Sequence, residues 1–414
     1  MLDMVVLQIP FASSWVDSNS CEFEQSSPDP FSRKVIASID PYWIPVPMGA
    51  KSLEWVNGRP SVSDIYCPWE KIESSHAGLA VKVFHQGNGF CGWPYIEIKC
   101  SPAKLVQGHN IYGFDDLGFA VNNMIWLLNE KYPQLGGGFL ESDEIDKSIE
   151  DRGSMLDFEK ARITELDITY SIRIEDKAIR YAVIDFFRNI SKGHTKGRDG
   201  YESTAYFGAK TSRLKRNKLY DKLAEVLRDN IERQKKGKKL ISDENIYFAD
   251  GLLRFEGTGK KDWFERRGIS TNMIEMVKWF RADKARYRLV FDLLMKDLFD
   301  SLDGSKVTVM NDDNVYKQID SVFGDTRGKT ARVFGTYQSI KAVGFDRFKK
   351  QHADRTFKRL IKELETAGFS RADICNLHTD NNVVIKLSTI VNLDLLHEPT
   401  PKYYSYVNLW EQVA

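Results

Sequence analysis

Three carboxylates fall where carboxylates are expensive. Asp167 lies within ITELDITYSI among Ile163, Leu166, Ile168 and Tyr170, Glu256 lies within LLRFEG, and Glu97 within YIEIK. A carboxylate on an apolar strand must be paired or bound to a cation. Taken singly, Glu256 and Glu97 have a base nearby in Arg254 and Lys99. Taken together, the three are the hard oxygen donors that Mg²⁺ or Mn²⁺ prefers, and such an ion polarises a phosphodiester. Tyr220 and Lys222, in RNKLYDKLAE, stand two residues apart, so on a strand the phenol and the ammonium project from one face. A phenol of pKa about 10 attacks poorly at neutral pH unless a cation and a polarised phosphate assist it. The chain has seventeen tyrosines, and a half-buried strand tyrosine has the same local sequence. His109, between Gly108 and Asn110 in SPAKLVQGHNIYG, suits a ligand, a phosphate contact or a turn residue bonding its own backbone.

The segments that must position these groups read as alternating strands and helices. Apolar or alternating runs bounded by Gly, Pro, Asn and Ser predict strands at 2–9, 79–85, 94–99, 163–174, 203–208, 216–221 and 251–257. Three- and four-residue apolar spacing predicts helices at 117–131, 176–191, 222–236, 271–300 and 354–367. Turn residues place hairpins near 86–92 and 208–215. The pattern predicts an α+β fold, an antiparallel sheet with covering helices, followed by a mainly helical C-terminal domain. LDMVVLQI (2–9) echoes LDITYSIR (166–173), each followed by a hairpin and a strand ending in Lys, YIEIK and NKLYDK, as a duplicated sheet would.

Charge is balanced overall, 59 basic against 58 acidic residues, and unevenly distributed. Residues 191–240 hold fifteen Lys/Arg and six Asp/Glu, a local excess of 15 − 6 = +9, which is either a solvated helix face or the footprint of a polyphosphate partner. The tyrosine and strand formers interleaved in KTSRLKRNKLYDK favour nucleic acid. A second basic stretch, 344–369, is an amphipathic helix whose inner face is Phe348, Phe357, Leu360, Ile361 and Leu364. Residues 141–151, with six acids and one lysine, read as an exposed linker. These divisions give an N-terminal sheet half at 1–140 and a second half at 152–304. The five cysteines are scattered without a C-x-x-C pair, which argues against a disulfide framework or structural zinc and for a reducing cytoplasm. No apolar run approaches the roughly 20 residues of a membrane span. Walker, G-x-S-x-G, H-E-x-x-H and Rossmann signatures are all absent.

Several blocks in one order resemble the gene II replication initiators of filamentous bacteriophages. They are IEIKCSPAKLVQGHNIYGFDDLG (96–118), ITELDITYSIRI, RNISKGHTK (188–196), ESTAYFGAKTSRLKRNKLYDKLAEV, FADGLLRFEGTGKK (248–261) and DNNVV near 380. The second half is also similar to rolling-circle plasmid initiators, whose tyrosine lies in Y-x-K after a G-x-x-x-S hairpin; Gly208, Ser212, Tyr220 and Lys222 match it. The resemblance implies an origin-specific nicking and joining endonuclease of the host cytoplasm. Its partners would be the replicative-form duplex, the displaced viral strand, and the host helicase and polymerase, with oligomerisation on DNA left open. It implies Tyr220 as nucleophile assisted by Lys222, and Mg²⁺ or Mn²⁺ held by Asp167 and Glu256 with Glu97 or His109 third. Backbone contacts would come from Lys99, Lys104, Lys210, Arg213, Lys215, Arg216 and Lys218. The paired histidines that many rolling-circle nickases use as ligands are missing here. Met310 matches an internal start of the family, which would release 305–414 as a separate unit. Two rivals remain: a metal-dependent nuclease in which water attacks, and a DNA-binding regulator with purely structural carboxylates.

Overall fold

A computed structural model of the chain describes residues 1–16, 38–47, 49–56, 59–66, 68–86, 92–136, 154–189, 191–192, 195–198, 201–209, 211–303, 312–326, 328–369, 374–375, 377, 396–397, 399–402 and 404–413. The linker expected at 141–151, Met310, Lys210, and most of the 86–92 turn lie outside the described residues.

The expected α+β fold is the one observed. The strands are β1 (Leu2–Pro10), β2 (Gly49–Val56), β3 (Arg59–Tyr66), β4 (Glu70–Glu73), β5 (Gly78–Phe84), β6 (Tyr95–Cys100), β7 (Arg162–Arg173), β8 (Ser191–Lys192), β9 (Thr195–Arg198), β10 (Thr204–Phe207), β11 (Lys215–Asp221) and β12 (Leu252–Lys260). Ten of them form one sheet in the order β4-β5-β6-β1-β7-β12-β11-β10-β9-β8, and β2 and β3 pair by themselves as a hairpin that the sequence reading missed. Every described pairing in the ten-stranded sheet is antiparallel.

The sheet is built from two halves with one topology. In the first, β1 is followed outward by β6, β5 and β4; in the second, β7 is followed outward by β12, β11 and β10. The halves meet where β1 and β7 pair. The echo between residues 2–9 and 166–173 therefore joins equivalent strands. Its second part is displaced by one strand, because YIEIK is in β6, whose topological counterpart is β12, whereas NKLYDK is in β11.

Residue alternation gives the sheet two different faces. Leu253, Phe255 and Gly257 of β12 and Leu219 of β11 face the main core, beneath α2 (Leu117–Lys131), α3 (Lys177–Asn189), α7 (Met273–Ala282) and α8 (Ala285–Asp303). Gly257 lets α8 come close, since a Cβ there would stand 3.0 Å from Leu294. The single helix predicted at 271–300 is broken between Ala282 and Ala285, where Asp283 leaves helical geometry with φ −157°.

The opposite face carries Arg254, Glu256 and Thr258 of β12 and Lys218 and Tyr220 of β11. It is partly roofed by α4 (Lys222–Lys235) and α5 (Asp243–Ala249) around a small core of Ile111, Val226, Ile241, Ala249 and Leu252, while α1 (Pro102–Gln107) buries Leu105 and Val106 in the main core.

A separate core is formed by α9 (Asp312–Phe323), α10 (Lys329–Val343), α11 (Phe345–Lys350) and α12 (Asp354–Thr366). The five residues assigned to the inner face of the basic amphipathic stretch all lie in it. Beyond it the chain returns to the sheet. Leu396 and Leu409 join the main core, and His397 pairs with Ser171 of β7 through two backbone hydrogen bonds. Among the described residues of this segment, Leu396, Tyr404 and Leu409 thus pack against the body that carries the sheet. Among the described residues no helix is long and apolar enough to cross a membrane.

Candidate active site

The polar face of the central strands gathers three carboxylates. Thr258 of β12 pairs with Asp167 of β7, and Met4 of β1 pairs with the same Asp167 while Leu2 pairs with Ile168. Asp3 is thus the extra residue of a bulge in β1, and a bulge re-aims its side chain. Asp3, Asp167 and Glu256 are all buried and interact electrostatically with one another. Asp3 was not among the sequence candidates. Its signal was the echo itself, because Leu2-Asp3 aligns with Leu166-Asp167.

The three carboxylates differ in what offsets their burial. Asp167 Oδ1 is buried without a hydrogen-bond partner. Burial, then the charges of Glu256 and Glu165, push its carboxyl well above the usual range. Glu256 is also raised by burial and by Asp3, with Lys218 opposing at 2.9 Å. For Asp3, burial acts upward, but Lys222, Arg254 and Lys218 together outweigh it and hold the group below the ordinary value. Arg254 is buried on the same face. Its guanidinium donates to Ser171 Oγ at 3.1 Å and to the carbonyls of Asn110 and Ile111.

Cations frame the tyrosine. Tyr220 is 1% exposed, with Lys218 Nζ 4.1 Å and Lys222 Nζ 5.7 Å from its ring centroid. Burial, then the charges of Glu256 and Asp3, raise its phenol well above the ordinary value. Lys222 begins α4, directly after the helix cap Asp221. Its ammonium donates to Asn110 Oδ1 at 2.8 Å and to Glu225. Burial, offset in part by Glu225 and reinforced by Arg254, brings it down to about 8. Asn110 also donates through Nδ2 to Asp3 Oδ1, so one amide ties the bulge carboxylate to the lysine.

The remaining sequence candidates stand elsewhere. Glu97 accepts from Gln8 Nε2 at 2.7 Å and pairs in register with Gln8, whereas Asp167 pairs with Met4. Four residues of strand, roughly 13 Å, separate those levels. His109 also stands apart from the carboxylates, its ring packed edge-on to Tyr112 at 4.7 Å and bonded to Gln107. Burial, then Lys222 and Arg233, bring its imidazole down to about 4. Neither residue joins Asp167 and Glu256; the carboxylate that interacts with both is Asp3.

Most of the residues expected to hold phosphates have intramolecular partners. Lys104 bridges Glu225 and Asp229, Lys215 bonds Asp297, Arg216 pairs with Glu165, and Lys99 lies 3.6 Å above Trp69. Arg213 is exposed on the β10–β11 connection, whose turn uses the left-handed Gly208 at φ +80°.

The donor set suits a divalent ion. All three groups are hard oxygens, and an unpartnered buried carboxylate oxygen is what such an ion would satisfy. Among the described residues no three acidic, histidine or cysteine side chains close around a single point as a complete cage. Mg²⁺ does not require one, since it characteristically binds through one or two carboxylates, waters and substrate phosphate. The residues fit an open site of that kind.

Comparison with known proteins follows the same outline. Residues 1–282 match the N-terminal model of the phage replication-associated protein family, the gene II products, and residues 326–410 match the C-terminal model of the same family. The chain belongs to this replication-associated family. It is 28% identical to the replication-associated protein of Salmonella phage IKe, over 100% of this chain and 98% of that one. It is likewise 28% identical to the replication-associated protein of Enterobacteria phage M13, over 98% of each. No solved structure matches it. The family assignment accords with the resemblance drawn from the sequence blocks, several of which contribute to the carboxylate site: ITELDITYSIRI carries Asp167, FADGLLRFEGTGKK carries Glu256, and the block at 96–118 carries Asn110.

Proposed function

We propose that the chain initiates and terminates rolling-circle replication of a phage genome by nicking and rejoining one DNA strand through a covalent bond to Tyr220. The observation that carries this reading is the packing of one phenol between two lysines, beside three buried carboxylates, in a replication-associated family. One or two of the carboxylates Asp3, Asp167 and Glu256 would hold Mg²⁺ or Mn²⁺, which when bound would polarise the scissile phosphate and offset the negative charge that keeps the phenol protonated.

Tyr220 Oη then attacks phosphorus. A Tyr220 O–P bond forms, the P–O3′ bond breaks, and the departing 3′-oxygen takes up a proton to leave a free 3′-hydroxyl. The phenolic proton passes to solvent, which in turn protonates the departing 3′-oxygen, and the Lys222 ammonium offsets the charge developing at Tyr220. The phosphotyrosyl ester keeps the energy of the broken linkage, so a 3′-hydroxyl can reverse the attack without ATP.

Tyr220 is buried, and Lys218 lies over both the ring and Glu256. In this account Lys218 must exchange Glu256 for the incoming phosphate, which uncovers the phenol and vacates the carboxylate together. The substrate would be the replicative-form duplex and its displaced strand in the host cytoplasm, with the host helicase and polymerase extending the 3′ end. Supercoiled replicative-form DNA incubated with protein and Mg²⁺ is expected to be nicked and partly reclosed, and Tyr220→Phe is expected to abolish both while retaining DNA binding. Nicking by the Phe variant would instead support water as the nucleophile, and unaltered DNA with every divalent ion would support a regulator.

A further inference from the structure

Beside the loop that carries Asn110 lies a cavity of about 470 Å³ that the proposed chemistry does not use. Its walls are the β4–β5 connection, Gly108 and His109, and the segment joining α4 to α5. That volume falls within the range of small-ligand sites and accommodates one nucleotide. Three cations, Arg233, Lys238 and Lys239, face it against one carboxylate, Glu73. Glu73 is already shared between Lys71 at 2.9 Å and Lys238 at 3.0 Å.

The guanidinium of Arg233 is incompletely used. Nη1 donates to Lys239 O at 3.2 Å, and Nη2 donates to Gly108 O and to Asp229 at 3.4 Å. Nε is buried with no partner, an unusual omission for a buried donor. At the rim Leu240 is 48% exposed, and the ring of His76 also lines the space. Three cations set against one shared carboxylate, beside an apolar wall, suit a sugar-phosphate, not a neutral or purely apolar ligand.

We infer that this cavity is a strand subsite that takes one nucleotide of the single-stranded DNA next to the cleaved linkage, its phosphate against Arg233 and Lys239. The inference rests on the proposed nicking reading for its placement. The wall residue His109 is followed by Asn110, whose amide spans Asp3 and Lys222. An occupant would brace the loop that holds those two groups in position.

The test uses the full chain, without metal, and the probe pentathymidylate. Fluorescence anisotropy is expected to give about tenfold weaker binding for Lys238→Ala/Lys239→Ala, with a salt slope lower by about one to two. The control pair Lys235→Ala/Lys236→Ala removes the same charge from the end of the same helix outside the cavity, and is expected to change affinity less than about threefold. A pentathymidylate with a methylphosphonate backbone is expected to lose the difference between the two variants. Equal weakening by both lysine pairs would overturn the inference, since it would reflect only general charge. Displacement of the oligomer by equimolar inorganic phosphate would also overturn it, marking a simple anion hole. Tyr220→Phe is expected to bind pentathymidylate normally, so failure of the nicking reading and failure of the subsite are separately visible.

Discussion

The two halves of the sheet share a strand order but have been put to different uses. In the first half, β6 and β5 present Glu97, Lys99 and Lys82 on the polar face, and each is paired: Glu97 with Gln8, Lys99 above Trp69, Lys82 4.8 Å from the Phe84 ring. In the second half the corresponding strands present Glu256, Lys218 and Tyr220, where the acids repel one another and Asp167 keeps an unpartnered oxygen. The first half reaches that site through Asp3 on its inner strand and Asn110 on the loop after its first helix. One architecture therefore serves as a satisfied support on one side and as an electrostatically strained centre on the other. Unrelieved polar groups of the second kind are where function concentrates.

The contrast is sharpest in matched acid substitutions. Glu256→Gln and Asp167→Asn are expected to lower nicking by at least about 10³-fold, whereas Glu97→Gln, in the corresponding strand of the first half, should stay within about threefold. Gel assays of supercoiled DNA decide this, and a large loss at Glu97 would erase the distinction. Asp3→Asn should fall with the second-half acids although it belongs to the first half, a loss of roughly 10²-fold or more that can be recovered in part by raising Mg²⁺.

Asp167→Asn should also stabilise the metal-free protein against thermal denaturation, by on the order of 1 kcal/mol, because it removes an uncompensated buried charge. The sign follows from the raised carboxyl: the native state holds its proton more tightly than the unfolded chain, so it loses stability as pH climbs through the shifted value. The gain from Asn should therefore grow as pH rises above the ordinary carboxylate range. A variant less stable at every pH would mean that Asp167 is held by favourable partners.

His109 should act in the opposite direction. Its native value of about 4 lies below the usual 6.5, so the unfolded chain binds the proton more readily and stability declines as pH falls from 6.5 toward 4. The loss is up to about 3 kcal/mol by linkage, and His109→Gln should flatten that part of a denaturation profile.

Much of the site was legible because strands announce themselves by alternation. Asp167, Glu256, Tyr220 and Lys222 stood out as charged or phenolic groups at apolar strand positions or at a basic strand end. Asp3 stayed hidden because a bulge, which only the β1–β7 register defines, turns it toward the other acids. Asn110 was passed over for its neighbour His109, although the amide can bond two charged groups at once and the imidazole is packed into the loop. Lys218 reads from sequence as one more phosphate-binding lysine, since its ion pair with Glu256 comes from a strand 38 residues further along. The return of residues 396–413 to the sheet was equally illegible. Nothing local distinguishes Tyr404, whose hydroxyl donates to Gln107 at 2.7 Å, from the other tyrosines of the chain.

The most direct measurement is the identity of the amino acid joined to DNA. Protein trapped on nicked replicative-form DNA with Mg²⁺, digested with nuclease and protease and mapped by mass spectrometry, should carry a nucleotide phosphate on Tyr220 alone. A modification on Tyr206 in the adjoining strand, or strand cleavage at full rate with no modified peptide, would contradict the account.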